Sequence, residues 1–390
     1  GAAATGGPES TILRPFDMVP LASDVDVVLR GYTSDPDGVA SASFTITDLE
    51  TGDWWNGNSW VTSPATVPLT LTDPGQTTTS WAHTIPASEL HAGAIVSAVI
   101  TAVDGNGAVE QQNVIPRPRG SNQHTSQVAL PIYDVAPGST RIWTIGDSIT
   151  QQGGSFGIKV PGYRHDLSQI VDDSQCQVDW VGSLDWNWNE DVSVQPDWTD
   201  RQHDGIASWS LYHTKNYVAL SWQLVPSPTG NRPGRDLAAA SGADIVLIHM
   251  GTNGSLDVTQ DNVIPGLSAD EAAQQKAIYN TRDMENLIID IRAALGTDTK
   301  ILMAQIINSH RPTSHPVPPL DTPRMINEHI NQGYADIAAA DPGIVLVDMA
   351  TGYDPEWNLD GLHPGNNGAL EMANRWRTAL DDNTQLGACL

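Results

Sequence analysis

From Arg141 to its end the chain alternates near-continuous apolar runs with segments of helical periodicity, and before that point it carries almost no helical signal. The runs are RIWTIGD (141–147), VDWVGS (178–183), ADIVLIHMGTN (243–253), KILMAQIIN (300–308) and GIVLVDM (343–349). Unbroken apolarity suits parallel strands covered by helices on both faces, because a strand with one wet face would alternate. Between the runs, Ser268 and Glu271 form an S-x-x-E capping box. Met284, Leu287, Ile288, Ile291 and Leu295 then keep helical spacing until Gly296. Met325, Ile326, Ile330 and Ile337 mark a second helix, leading into the fifth strand. The pattern predicts a three-layer α/β/α, flavodoxin-like domain with about five parallel strands.

The first 125 residues read differently. VDVVLRGYT (25–33), ASASFTITDL (40–49), TVPLTLT (66–72), TSWAHTI (79–85) and GAIVSAVITAVD (93–104) are short Val-, Ile- and Thr-rich runs. The turn clusters SDPDG (34–38), DPGQ (73–76) and DGNG (104–107) separate them, which indicates an all-β sandwich. Residues 116–140 form a Pro-, Ser- and Gly-containing connector. The expected organisation is a β-sandwich over 1–125, a linker over 126–139 and the α/β domain over 140–390, with no internal repeat. The sandwich stretch resembles the immunoglobulin-like or fibronectin-like accessory modules of secreted bacterial enzymes.

Charge excludes two classes of partner. Among 390 residues, 46 are Asp or Glu and 19 are Lys or Arg, a net charge of −27. Such a field repels nucleic acid and anionic membrane surfaces, and no apolar run approaches the ~20 residues of a membrane span. With 17% charged and 39% hydrophobic residues the composition is globular, not that of a disordered acidic tail. The first residues, GAAATGG, show neither a basic nor an apolar segment of a signal peptide. Cys176 and Cys389 are too few for a disulfide scaffold or a thiolate metal cage; one bridge tying the C-terminal tail to the body and two buried thiols are equally compatible with them.

Ligands of an open parallel sheet bind beyond the carboxyl ends of its strands. Past the first run lies Gly146-Asp147-Ser148-Ile149-Thr150, past the third Gly251-Thr252-Asn253, and about ten residues past the fifth Asp360-Gly361-Leu362-His363-Pro364. These places supply a hydroxyl, an amide donor, and a carboxylate with an imidazole, the set that acyl transfer needs.

GDSIT, GTN and DGLHP, in this order, resemble the signature blocks of the SGNH (GDSL-type) hydrolase superfamily, over roughly residues 140–382. The resemblance implies Ser148 as nucleophile, His363 as general base, Asp360 as the carboxylate orienting it, and an oxyanion hole from Asn253 and the Ser148 N–H. A further backbone donor is expected after the second strand. RQHDGIASW (201–209) is similar to the H-E-G-x-x-G-W segment of acetyl xylan esterases in the third carbohydrate-esterase family, as are GYR (162–164) and VGS (181–183). That alignment places Ser208 where the family has glycine, with Gly205 as the alternative donor. Gly254 stands where the family usually has aspartate.

Asp147, His203, Asp204, Trp209, Trp186 and Trp188 are the candidate substrate contacts. Asp147 is expected to fix the turn beside the nucleophile, and His203 and Asp204 either shape the pocket or form a polar loop pair. Trp180, Trp186, Trp188, Trp198 and Trp209 either offer flat faces for sugar rings or pack an insertion against the body. Trp54, Trp55 and Trp60 are expected to fill the sandwich. Gly153-Gly154-Ser155-Phe156-Gly157 matches a G-x-S-x-G elbow, but the strand ends at Ser148, which disfavours Ser155. His310 and His315 border the site in a loop after the fourth strand. No cofactor or metal is called for, and SDPDG and DGNG read as Asp-Gly turns ahead of a Ca²⁺ site.

The leading expectation is a secreted serine esterase that deacetylates a polysaccharide, perceptibly more active as pH rises through roughly 6–7 because a histidine base must be neutral. Its competitors are a lipase-like or aryl esterase on short aliphatic esters, and a non-catalytic carbohydrate-binding protein on a hydrolase scaffold.

Overall fold

The computed structural model describes residues 6–111, 126–151, 160–185, 198, 200–220, 223–226, 232–256, 266–309 and 323–390. The chain divides into two compact units, residues 1–137 with 224–231, and residues 138–223 with 232–390.

The first unit is a sandwich of two sheets. Strands Glu9–Arg14, Val27–Ser34 and Thr78–Ile85 form one; Val39–Asp48, Ile95–Asp104 and Gln127–Tyr133 form the body of the other, with short strands at its edges. Side chains of both sheets meet in one core, where the rings of Phe44 and Trp81 stand edge to face at 5.1 Å. Trp55 and Trp60 serve that core, whereas Trp54 is half-buried outside it. Trp55 is buried and donates to His83 (3.0 Å), and Trp60 donates to the Glu89 carbonyl (2.7 Å).

The linker expected at 126–139 needs correction. Gln127–Tyr133 is a strand of the sandwich, antiparallel to Ile95–Asp104, with Val128, Leu130 and Ile132 turned inward. QVALPIY alternates as a half-buried strand should. Pro131 masked that pattern, but it lies near the strand's end, where the loss of one N–H is tolerated.

The second unit carries a parallel sheet of Thr140–Gly146, Val178–Val181, Ile245–His249, Lys300–Ala304 and Ile344–Val347, in the spatial order second, first, third, fourth, fifth. A two-residue strand, Asp204–Gly205, extends the pairing beside Ile145 and Gly146. The helices are α1 (Ser148–Gln151), α2 (Tyr163–Asp173), α3 (Leu211–Asn216), α4 (Pro233–Ser241), α5 (Thr252–Leu256), α6 (Ala269–Leu295), α7 (Pro323–Ala340) and α8 (Asn366–Asn383). α2 and α8 pack on one face, against Ile142, Ile245, Leu247 and Leu302. α6 starts at the predicted capping box, with Ser268 and Glu271 bonded reciprocally, and buries Met284, Leu287, Ile288 and Ile291. The result is the α/β/α architecture that the apolar runs predict. Cys176 and Cys389 are bridged, their Cα atoms 5.5 Å apart, tying the turn after α8 to the approach of the second strand. Among the described residues, no helix is long and apolar enough to cross a membrane.

Candidate active site

The first strand ends in a bend that exposes one side chain. Asp147 is fully buried, and its Oδ1 accepts the Ile149 N–H (3.0 Å), so the chain turns into α1 with only Ser148 left partly open. Gly146 permits this, because a Cβ there would collide with Thr150 and the His249 carbonyl. Burial pushes the Asp147 carboxyl up to about 6, against the Ile149 N–H and the neighbouring His363, which favour its charged form. Asp147 is thus placed to fix the turn and, fully buried, exposes no surface as the candidate substrate contact.

Asp360 and His363 share a tight turn after the fifth strand. Oδ1 of Asp360 accepts the N–H groups of Leu362 (3.0 Å) and His363 (2.7 Å), and Gly361 sits at φ 80°. That turn folds the carboxylate onto its own histidine, with Oδ2 2.8 Å from Nδ1. Nε2 then lies 2.8 Å from the Ser148 Oγ. Asn358 anchors the loop, accepting from the Tyr353 hydroxyl (2.7 Å) and donating to the Asn308 carbonyl (2.9 Å). The three residues that the blocks single out are thus joined in one hydrogen-bonded series, with His363 8% exposed.

Asn253 stands in the first turn of α5 and gives one amide hydrogen to the Trp209 carbonyl (2.8 Å), which leaves the other for a ligand. The segment 204–209 discriminates between the two candidate backbone donors. The Gly205 N–H is taken by Nδ1 of His203 (2.9 Å), and the Ala207 N–H by Oε1 of Gln151 (2.7 Å). Gly205 is therefore not the donor. It is glycine because a Cβ there would run into the Gln151 backbone. Ser208 takes a left-handed conformation, φ 64°.

Three more candidates are corrected. Asp204 is buried, and its carboxylate accepts from Trp143 Nε1 (2.7 Å), the Ser183 N–H (3.2 Å) and the Ser183 hydroxyl. It ties two strands together. Trp209 is 1% exposed, so its indole offers no face to a sugar; its carbonyl orients Asn253 instead. His203 is also buried, under Gly182 and Gly205. Trp180 and Trp198 are buried as well. Trp186, Trp188, Ser155, His310 and His315 lie outside the described residues.

Arg164 carries more than its GYR match conveys. Its buried guanidinium donates to the carbonyls of Thr150 (2.6 Å), Gln151 (3.2 Å) and Arg201 (3.0 Å) and lies 4.9 Å over the Trp198 ring. It thereby closes the carboxyl end of α1 and joins it to the approach of Ser208. The GYR match is the trace that Arg164 leaves in the sequence; its carbonyl partners leave none.

As for metals, the described residues hold one convergent acidic group, Asp35, Asp37 and Asp104 of the sandwich, with ligand atoms within 4.8 Å of each other. Asp35 accepts the Asp37 N–H (2.7 Å), and Asp104 those of Asn106 (2.9 Å) and Ala108 (2.7 Å), as turn-forming carboxylates do.

No protein-family model and no curated protein matches the chain. Among solved structures it is similar to an aryl esterase of M. smegmatis (14% identity, 62% of this chain and 99% of that one, TM-score 0.35). It is similar also to a carbohydrate acetylesterase of Sinorhizobium meliloti (12%, 62% and 99%, TM-score 0.36) and to a protein of Bacteroides ovatus described as a GDSL-like lipase (10%, 92% and 85%, TM-score 0.34). At these identities and scores the likenesses assign nothing to this chain.

Proposed function

We propose that the chain is a serine carboxylic ester hydrolase whose substrate is an O-acetylated polysaccharide, in the manner of an acetyl xylan esterase. One observation carries the hydrolase part of this reading, the series Asp360 Oδ2, His363 Nδ1, His363 Nε2, Ser148 Oγ with both links at 2.8 Å. Asp360 holds the imidazole with Nδ1–H toward itself, so Nε2 is free to accept the Ser148 proton as Oγ attacks the acetyl carbon. Negative charge then develops on the former carbonyl oxygen. Asn253 Nδ2 and the N–H groups of Ser148 and Ser208 are the donors assigned to it, each worth about 10²–10³ in rate where geometry is good. The tetrahedral intermediate collapses, the sugar oxygen leaves with the proton from His363, and the acetyl group stays on Ser148. Water, deprotonated by the same imidazole, releases acetate and restores the serine.

The disulfide supports an oxidising compartment, hence an exported enzyme. The charge of −27 supports a neutral glycan over a phosphorylated polymer.

A second reading, a short-chain carboxylesterase or arylesterase, draws on Leu359. This residue precedes Asp360, is 57% exposed, and offers apolar surface beside the triad. Acetate release from acetylated xylan, with p-nitrophenyl esters of two to eight carbons alongside, separates the two. Release from xylan by wild type but not by Ser148→Ala, with rates falling steeply beyond acetyl, is the expected result. Release by both proteins would overturn Ser148 as nucleophile. Hydrolysis of longer esters without release from xylan would replace the glycan reading by the second one.

A further inference from the structure

The loop that carries Asn253 lacks a side chain at two places, and neighbouring helices fill both. At Gly251 (φ 128°), a Cβ would meet the Tyr334 hydroxyl, which reaches in from α7 and donates to the Met250 carbonyl (2.8 Å). At Gly254, a Cβ would fall inside the carboxamide of Asn280, against its Oδ1, Nδ2 and Cγ. Gly254 is also where the chain departs from the family it resembles, which usually has aspartate after the asparagine.

Asn280 is itself out of place by the rules of its helix. The inward stripe of α6 runs Ala273, Ala277, Asn280, Met284, Leu287, Ile291, and all of these but Asn280 are apolar. Asn280 is only 7% exposed. Burying a carboxamide in such a stripe costs free energy that alanine or leucine would not. The other buried polar residue of α6, Asp290, is accounted for by its ion pair with Arg232 (2.6 Å).

We propose that Asn280 is a positioning residue of the oxyanion hole, its carboxamide supplying from α6 the polar side chain that position 254 lacks and fixing the first turn of α5 so that Asn253 meets the oxyanion. Polar group and backbone have exchanged places, with a glycine on the short helix and an asparagine on the long one. The proposal rests on the esterase reading, and it acts through Asn253 alone.

The test is a double-mutant cycle on p-nitrophenyl acetate, with Tm recorded for every variant. Asn280→Ala is expected to lower kcat about tenfold at nearly unchanged KM, and to cause no further loss in an Asn253→Ala background. Gly254→Asp is expected to be poorly active because the new side chain meets Asn280, and Gly254→Asp/Asn280→Gly to recover most of kcat. Independent, multiplying losses for Asn280→Ala and Asn253→Ala would overturn the proposal, as would losses that merely follow Tm or a double variant no better than Gly254→Asp. A wild type inert on every ester would instead remove the esterase reading, and this proposal with it.

Discussion

Ser208 holds a left-handed backbone (φ 64°) that glycine adopts without cost and that costs an ordinary residue about 1 kcal/mol. If only its N–H serves the site, Ser208→Gly should unfold at equal or slightly higher urea concentration and keep ester hydrolysis within a few-fold. A loss beyond tenfold would give the hydroxyl a role of its own. At this scale the triad was legible because its chemistry admits few residue types, and Asp360 and His363 lie within one turn of chain. Arg164 was legible only as part of the GYR match, since the carbonyls that it binds leave no compositional mark, and the contact of Asn280 with Gly254 was not legible at all. Asp204 and Trp209 kept two readings each, because residue type allows a pocket lining or packing and only the fold decides which way a side chain turns; both turn inward.

The described part of the element that presents Ser148 is one helical turn, Ser148–Gln151. It is held from two sides, by Arg164 on its last carbonyls and by the strand Asp204–Gly205, whose Gly205 backbone packs directly on that of Gln151. Gly205→Ala should push the two apart, lowering kcat by about 10–100-fold while Tm falls by only a few degrees; retained activity would show that α1 does not depend on this contact. The apolar runs marked all five strands of the parallel sheet to within a few residues, because strands buried on both faces write themselves as unbroken hydrophobicity. Gln127–Tyr133 escaped notice because a proline interrupts it.

At the scale of the molecule, one covalent tie and a few buried titratable groups modulate the stability that the two apolar cores supply. The bridge between Cys176 and Cys389 closes a span of 213 residues. A disulfide of this kind contributes about 2–4 kcal/mol, so Cys176→Ser/Cys389→Ser should lower Tm by roughly 5–15 °C with the site intact. An unchanged Tm would mean that the tail adds nothing. Burial pushes Asp200 up to about 7, helped by Asp179 and Asp172 and opposed by the Trp180 N–H, and burial likewise raises Asp147 to about 6. Both carboxyls hold protons in the folded state that they would lose on unfolding. Their stabilisation is therefore complete below about pH 4 and is lost as pH rises to about 7. Burial lowers His249 to about 4, so it acts in the reverse sense, costing stability as pH falls below 6.5. Asp200→Asn should flatten the decline between pH 4 and 7, where one such carboxyl contributes at most about 1.4 kcal/mol per pH unit. Parallel denaturation profiles for the two proteins would contradict that assignment.

The proposed esterase requires that the Ser148 Oγ take the acyl group. Treating the wild type with diethyl p-nitrophenyl phosphate and mapping the modified peptide by mass spectrometry reads this directly. One diethylphosphoryl group on Ser148, matched by loss of ester hydrolysis and absent in His363→Ala, is the predicted result. Modification of Ser155, or complete inactivation with Ser148 unmodified, would contradict it.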